Sequence, residues 1–141
     1  CTARRIHEMA PIVHVGVRSL STEEKDYISK QAIPVFLWDP PINNFQPENI
    51  VSLLSDNVYV SIDLDVLDPS IMPAVGTPEP GGMVWQEIIS LLRQVAKTRR
   101  IVGFDVVELS PNEGPQASAF IAAKLAYKLI GLATVPQFDT R

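Results

Sequence analysis

The sequence predicts an α/β protein with a mostly parallel sheet and helices on both faces of the sheet. Short β-branched and apolar runs alternate along the chain with segments whose apolar residues recur at helical spacing. The 141 residues are 46% hydrophobic and 20% charged, which is enough apolar material for one buried core. Prolines and glycines concentrate in the connections, above all in residues 65–83.

Four segments have the composition of strands. They are β-branched or apolar runs of strand length that turn residues separate from their neighbours. These segments are residues 12–17, 34–38, 57–63 and 101–107. The second is closed by Asp39-Pro40-Pro41, and the third shows the clearest alternation of apolar and polar side chains.

Five segments have helical spacing of apolar residues or the start signals of helices. The predicted helices are residues 2–9, 21–30, 47–55, 83–97 and 116–130. Ser21 and Glu24 fit a capping box, and Pro47 stands at the favoured first position of a helix. Gly131 is expected to end the last helix.

Charge and composition exclude several classes of partner. The formal net charge is -4 and the basic residues are scattered, so the sequence has no footprint for nucleic acid. The apolar runs fall short of the roughly 20 residues that span a bilayer, so no membrane partner is expected. Cys1 is the single cysteine, which excludes an internal disulfide and fits a reducing, cytoplasmic location.

Asp63 and Asp65 stand at the end of the third predicted strand. Ligands of parallel sheets bind at the carboxyl ends of strands, and side chains two apart on a strand share a side. Carboxylates brought together repel unless they share a proton or a cation, and oxygen ligands favour Mg²⁺ or Mn²⁺. Alternatively, Asp63 caps the following loop while Asp65 and Asp68 make Asx turns. The spacing alone leaves both interpretations open.

Longer motifs favour a metal site. Ser61-Ile-Asp-Leu-Asp-Val-Leu-Asp-Pro69 and Pro73-Ala-Val-Gly-Thr-Pro-Glu-Pro-Gly-Gly82 resemble the signature of the ureohydrolase family, the arginases and agmatinases. Phe104-Asp-Val-Val-Glu-Leu-Ser-Pro111 resembles that family's last-strand motif, and residues 4–19 resemble the segment after its second metal motif. The resemblance covers nearly the whole chain, and the Gly-Thr-Pro-Glu-Pro-Gly-Gly wording is more like agmatinases than arginases.

The resemblance implies an arginase/deacetylase-like three-layer α/β/α fold. Residues 1–141 would form the C-terminal part of a single ureohydrolase domain. The family's Gly-Gly-Asp-His and Asp-Ala-His-x-Asp metal motifs, and the strands that carry them, are absent from this sequence. The chain is therefore expected to be inactive alone, and the full-length protein to form a homo-oligomer.

The resemblance also implies a role for each site residue. Asp63 would bridge two Mn²⁺ ions and Asp65 would bind one of them, so that both belong to the catalytic centre. Glu108 would receive the guanidinium of a small cationic substrate, with Thr77 beside it. A guanidinium is a permanently charged planar fork of donors, for which a carboxylate is the natural partner. The implied reaction is hydrolysis of a guanidino compound, agmatine first, by a metal-bridging hydroxide to urea and an amine such as putrescine.

Several alternatives remain at this stage. Residues 112–118 depart from the wording of typical agmatinases, so guanidinobutyrate or a smaller guanidino compound could replace agmatine, and arginine is a further alternative. A non-catalytic ureohydrolase-like subunit that acts through assembly is a second alternative. A nucleotide-sugar transferase that uses Asp63 and Asp65 with a metal on diphosphate ranks last, because residues 66–83 contain no Lys or Arg.

Other polar residues are expected to have structural roles. His7 lies on a predicted helix and His14 between valines of a predicted strand. Asp105 is expected to bond the neighbouring loop, and Cys1 has no visible base partner for catalysis. Trp38 and Trp85 are expected to pack rather than to bind a ligand.

Overall fold

The computed structural model describes residues 2–38 and 45–135, so the predicted Asp39-Pro40-Pro41 turn and Cys1 lie outside the described residues. The chain divides into two compact units, Cys1–Asn43 and Asn44–Arg141. Its helices are α1 (Thr2–His7), α2 (Thr22–Gln31), α3 (Pro47–Val51), α4 (Trp85–Thr98) and α5 (Gln116–Thr134). Its strands are β1 (His14–Val17), β2 (Val35–Leu37), β3 (Asn57–Asp63) and β4 (Arg100–Val107). A single-turn 3₁₀ helix, Leu64–Val66, follows β3.

The first unit contains α1, α2 and a parallel pair of β1 with β2. The predicted capping box of α2 is confirmed: Ser21 Oγ accepts a hydrogen bond from Glu24 N at 3.2 Å, and Ser21 N donates to Glu24 Oε2 at 2.8 Å. β1 is shorter than predicted and begins at His14. The register of its pairing with β2 shifts between Val15 and Val17. Gly16 lies at this β-bulge and has a positive φ of 84°.

The second unit contains β3 and β4 as a parallel pair, joined through α4. Side chains alternate along β3, with Ile62 buried and Asp63 exposed at its end. The β3 prediction of residues 57–63 is confirmed in full. Ser61 stands opposite Asp105, and Asp63 opposite Val107. In the described residues the predicted sheet is present as two separate two-stranded pairs, both parallel.

The helix α3 ends four residues before the predicted boundary of 55, at Val51. After Val51 the chain continues in tighter i→i+3 turns, with Leu54 N donating to Val51 O at 3.1 Å. The guanidinium of Arg99 then donates to Val51 O and Leu54 O, both at 3.0 Å. Val51 O therefore accepts from both Leu54 N and Arg99, and Leu54 O accepts from Arg99, in place of the hydrogen bonds of a further helical turn.

The prediction that Gly131 ends the last helix is wrong, because α5 continues through it to Thr134. Val135 N donates to Gly131 O at 3.0 Å, so the helical ladder is unbroken. A glycine inside a helix costs about 1 kcal/mol relative to alanine. Leu132 and Ala133 pack against the core cluster of Val51, Val95 and Ile101, and this contact offsets that cost.

The apolar length of α5 exceeds what the sequence suggested. Its 19 residues are long and apolar enough, by length and composition, to span a membrane. Core helices of globular domains meet the same two criteria, and α5 packs against β4 and α4. Its buried positions are Ser118, Ala122, Leu125 and Leu129. Their spacing places them on one face of the helix, whereas Phe120, Tyr127 and Ile130 are exposed.

Candidate active site

Asp63 and Asp65 both lie at the end of β3, but Asp65 does not continue the strand as its alternation predicts. Asp63 is the last strand residue, and its Oδ1 accepts a hydrogen bond from Asp65 N at 2.9 Å. This Asx cap starts the 3₁₀ turn Leu64–Val66, so Asp65 lies on the turn rather than on the strand. The capping role considered for Asp63 is therefore present in the structure.

Thr77 lies within the proline- and glycine-rich segment, residues 67–83, and binds the carboxylate of Asp65. The backbone N–H of Thr77 donates to Asp65 Oδ2 at 3.1 Å, and the Thr77 hydroxyl donates to the same oxygen. The expected Asx turn at Asp65 is replaced by this contact, which spans twelve residues. The resemblance to the ureohydrolase family implied that Thr77 lies beside Glu108, and no signal in the sequence predicted its bond to Asp65.

The segment that carries Thr77, residues 67–83, is closed at its base by Asp68. Asp68 Oδ2 accepts from Gly81 N at 2.8 Å and Gly82 N at 3.2 Å, while Oδ1 accepts from Ser70 N at 2.9 Å. The hydrogen bonds to Ser70, Gly81 and Gly82 lower the pKa of Asp68. The predicted Asx turn at Asp68 is confirmed, and its other oxygen makes the closure that sequence reasoning missed.

The backbone also closes the base of this segment. Leu67 and Met83 form a parallel bridge, with Asp68 N donating to Met83 O and Met83 N to Val66 O, both at 2.9 Å. Gly82 lies so close that a Cβ there would stand 2.5 Å from Asp68 N. Only glycine fits this close approach of the backbone, which explains why the second residue of the Gly81-Gly82 pair is a glycine.

Glu108 follows the last residue of β4. Its φ of 67° lies in the left-handed region, which residues other than glycine rarely adopt. Its loop rests on the proline and glycine segment, because Ser110 N donates to Ala74 O at 2.9 Å. Gly114 also packs there, since a Cβ on it would come within 2.7 Å of Ala74 Cβ. The loops after β3 and β4 are therefore joined at Ala74.

Negative charge is concentrated around Asp63. The residue is exposed as a whole, yet its carboxyl is partly shielded, and this loss of hydration is the main cause that raises the pKa of Asp63. The charges of Asp65 and Glu108 raise it further, while the hydrogen bond from Asp65 N lowers it. Asp65 and Glu108 are therefore near enough to Asp63 for their charges to act on its carboxyl group.

The geometry places Asp63, Asp65, Thr77 and Glu108 around two neighbouring strand ends. The model of the arginase family matches residues 1–131. The chain belongs to the arginase family. The resemblance found in the sequence motifs is thereby confirmed.

Two curated members of the arginase family illustrate the similarity. N(1)-aminopropylagmatine ureohydrolase of Synechocystis sp. is 41% identical over 136 residues, which are 93% of this chain and 44% of that protein. Agmatinase of Pyrococcus horikoshii is 41% identical over 134 residues, 94% of this chain and 47% of that protein. The chain therefore spans less than half the length of these curated relatives.

A solved structure confirms the predicted arginase-like α/β fold. The agmatine ureohydrolase of Thermoplasma volcanium matches with a TM-score of 0.81 and 30% identity, over 94% of this chain and 46% of the other. The prediction that residues 1–141 belong to a single domain stays a prediction.

The arginase-family residues present here fit part of a metal site. Asp63 and Asp65 offer hard oxygen ligands, and the charge around Asp63 favours a cation. Within residues 2–38 and 45–135, however, no group of three His, Cys, Asp or Glu side chains is placed to hold a metal ion. The two aspartates therefore fit as contributors to a larger ligand set and not as the whole of it.

Residues that sequence analysis assigned to structure have structural contacts. Asp105 accepts hydrogen bonds from Tyr59 Oη at 2.9 Å and from Ser61 Oγ at 2.6 Å, so it bonds the neighbouring strand rather than the loop. The bond to Asp105 is the main cause that raises the pKa of Tyr59. His14 is partly buried, and this burial, followed by the charge of His7, lowers the pKa of His14.

Proposed function

We propose that the full-length protein hydrolyses a C–N bond of a guanidino compound and releases urea and an amine. The observation that carries the proposal is the meeting of Asp63, Asp65 and Glu108 at two adjacent strand ends, where their charges act on one another. Such crowding is stabilised by cations. A metal ion and the guanidinium of a substrate would be such cations. The names of the curated relatives point to the same reaction.

Asp63 and Asp65 would hold Mn²⁺, together with ligands from outside this chain's described residues. Bound Mn²⁺ would supply the nucleophile from water at neutral pH and stabilise the charge that develops at the guanidinium carbon. Because two carboxylates bind Mn²⁺ weakly, we propose that residues 1–141 alone are inactive.

Glu108 would receive the guanidinium of the substrate. Its carboxylate is exposed and makes no hydrogen bond to the parts of the chain that the structure describes. A guanidinium offers only donors, and a carboxylate only acceptors. Because Thr77 donates its hydroxyl proton to Asp65, the Thr77 hydroxyl oxygen can offer only acceptor lone pairs to a substrate. This pairing favours a cationic guanidino group over a neutral ureido group.

Agmatine is the first proposed substrate, with putrescine as the amine product. N(1)-aminopropylagmatine is the second, because a relative named for hydrolysing it is 41% identical to this chain. Arginine, guanidinobutyrate and smaller guanidino compounds are further candidates. We further propose a cytoplasmic location, in line with the single cysteine, and a homo-oligomer, as the resemblance to the ureohydrolase family implies.

The test is a urea-release assay on the full-length gene product loaded with Mn²⁺. Agmatine, N(1)-aminopropylagmatine, arginine and guanidinobutyrate are offered separately, with a chelated sample as the control. We expect release from one of the first two substrates and its loss after chelation. Absence of urea from every compound, with an intact assembly, would instead favour a non-catalytic subunit.

A further inference from the structure

We infer that Thr77 is a positioning residue that fixes the orientation of the Asp65 carboxylate for metal binding. The inference rests on the proposed function, which makes Asp65 a metal ligand. Its direct basis is that one residue donates twice to one oxygen, Asp65 Oδ2, through its backbone N–H at 3.1 Å and through its hydroxyl. Thr77 therefore acts through Asp65, whatever contact it makes with substrate.

A double contact of this kind restricts the one soft torsion of the carboxylate. The terminal χ2 torsion of an aspartate is broad, so an unrestrained carboxylate samples many orientations. Two donors on Oδ2 fix the plane of the group and hence the direction of Oδ1. A ligand whose oxygen positions are already fixed loses less freedom when a cation binds.

The sequence around Thr77 stiffens the residue itself. Thr77 precedes Pro78, and the residue before a proline is restricted to extended backbone conformations. Threonine is also β-branched, which limits its χ1 rotamers. The Thr-Pro pair therefore presents the N–H and the hydroxyl in a small range of directions.

The rest of the segment holds Thr77 at the right place. On one side Met72, Ala74 and Val75 are buried, and on the other Gly81 and Gly82 are bound by Asp68. Residues 76–80 between them are exposed. Because both ends of residues 76–80 are fixed, this exposed stretch keeps its position without core packing. We therefore expect that Thr77 can be substituted without loss of the fold.

The experiment measures Mn²⁺ affinity of the full-length protein by titration calorimetry, independently of activity. Thr77→Val removes the hydroxyl and keeps both the shape and the backbone N–H. Thr77→Ser keeps the hydroxyl. Thr98→Val is the matched control, because the Thr98 hydroxyl donates to Gln94 O within α4.

We expect Thr77→Val to weaken Mn²⁺ binding by about 10-fold to 100-fold, the usual cost of losing a partner of a metal ligand. Thr77→Ser should recover most of the affinity, and Thr98→Val should match the wild type. Thr77→Ala, which is smaller and adds no clash, should reproduce the loss if the valine variant folds poorly.

Two results would overturn the inference. One is wild-type affinity in Thr77→Val and Thr77→Ala, and the other is equal weakening by Thr77→Ser or Thr98→Val. The proposed function fails separately, when the wild type binds Mn²⁺ but releases no urea from any guanidino compound. In that case the comparison of affinities still decides whether Thr77 orients Asp65.

Discussion

The carboxyl ends of β3 and β4 both carry acidic residues, but they hold them differently. After β3, Asp63 accepts from Asp65 N, and Asp65 accepts from two donors of Thr77. After β4, Glu108 makes no side-chain hydrogen bond to the described residues. Carboxylates that the protein already orients by hydrogen bonds suit a metal ion, whereas one that the described residues do not orient suits a cation that arrives from solution.

The backbone conformation also differs between the ends of β3 and β4. Asp63 has the ordinary extended values of φ -80° and ψ 120°. Glu108 has a φ of 67°, which costs a residue other than glycine about 1–2 kcal/mol. Strain of this kind persists where the surrounding contacts enforce it, and it is common at functional sites. The bond of Ser110 N to Ala74 O is one such contact.

The largest expected effect comes from breaking the support of the β3 end. Gly82→Ala would place a Cβ 2.5 Å from backbone atoms of Leu67 and Asp68, which cannot move aside as a side chain can. We expect a loss of about 2–3 kcal/mol in the free energy of unfolding, measured by denaturant titration of the full-length protein. The matched control is Gly76→Ala, where no atom lies within 4 Å of the added Cβ.

Gly76→Ala should change the free energy of unfolding by less than about 0.5 kcal/mol. Equal effects of the two substitutions would show that the base of the segment is not closed as described. The pair therefore isolates the close approach at Gly82 from the general effect of replacing a glycine.

A smaller effect is expected from relaxing the β4 end. Glu108→Ala and Glu108→Gly both remove the carboxylate, but only glycine adopts a φ of 67° without strain. We expect the glycine variant to be more stable than the alanine variant by about 1 kcal/mol in denaturant titrations. A glycine variant that is the less stable of the two would contradict a strained strand end.

The smallest expected effect concerns the charge at Asp63 in the metal-free protein. Its pKa is raised in the folded state, mainly by lost hydration and then by Asp65 and Glu108, so its ionised form destabilises the fold. Asp63→Asn removes this penalty and keeps an oxygen that can accept from Asp65 N. We expect the variant to be more stable than the wild type at neutral pH, with chelator present.

The pH dependence gives the sign of this effect. The advantage of Asp63→Asn should shrink as pH falls through the raised pKa and vanish below the unfolded value of about 3.9, where both states are protonated. The midpoints of thermal unfolding of the wild type and of Asp63→Asn, compared from pH 7 downwards, measure this advantage. An advantage that grows on acidification would mean that the carboxylate stabilises the fold.

Local signals in the sequence predicted the elements with strong patterns. The alternation over residues 57–63 defines β3, and the capping box of Ser21 with Glu24 begins α2 where expected. Gly131 misled because local propensity takes no account of packing by Leu132 and Ala133. The early end of α3 is accompanied by hydrogen bonds from Arg99, a partner distant in sequence that helical spacing does not reveal.

The site residues were predicted by motif, but their contacts were not. Asp63, Asp65 and Glu108 lie at strand ends, as parallel topology requires. The bond between Thr77 and Asp65 depends on the path of a segment that Asp68 and Gly82 close. No periodicity encodes that path, because it is set by hydrogen bonds between the Asp68 side chain and backbone N–H groups up to fourteen residues away.

The division of roles between the two strand ends is tested most directly by Mn²⁺ content and substrate binding in variants of the full-length protein. Asp63→Ala and Asp65→Ala should lose bound Mn²⁺. Glu108→Ala should keep its Mn²⁺ while KM for the guanidino substrate rises by about 10-fold to 150-fold, the value of a charged hydrogen bond. Equal loss of Mn²⁺ from all three variants would contradict the assignment of metal binding to β3 and of substrate binding to β4.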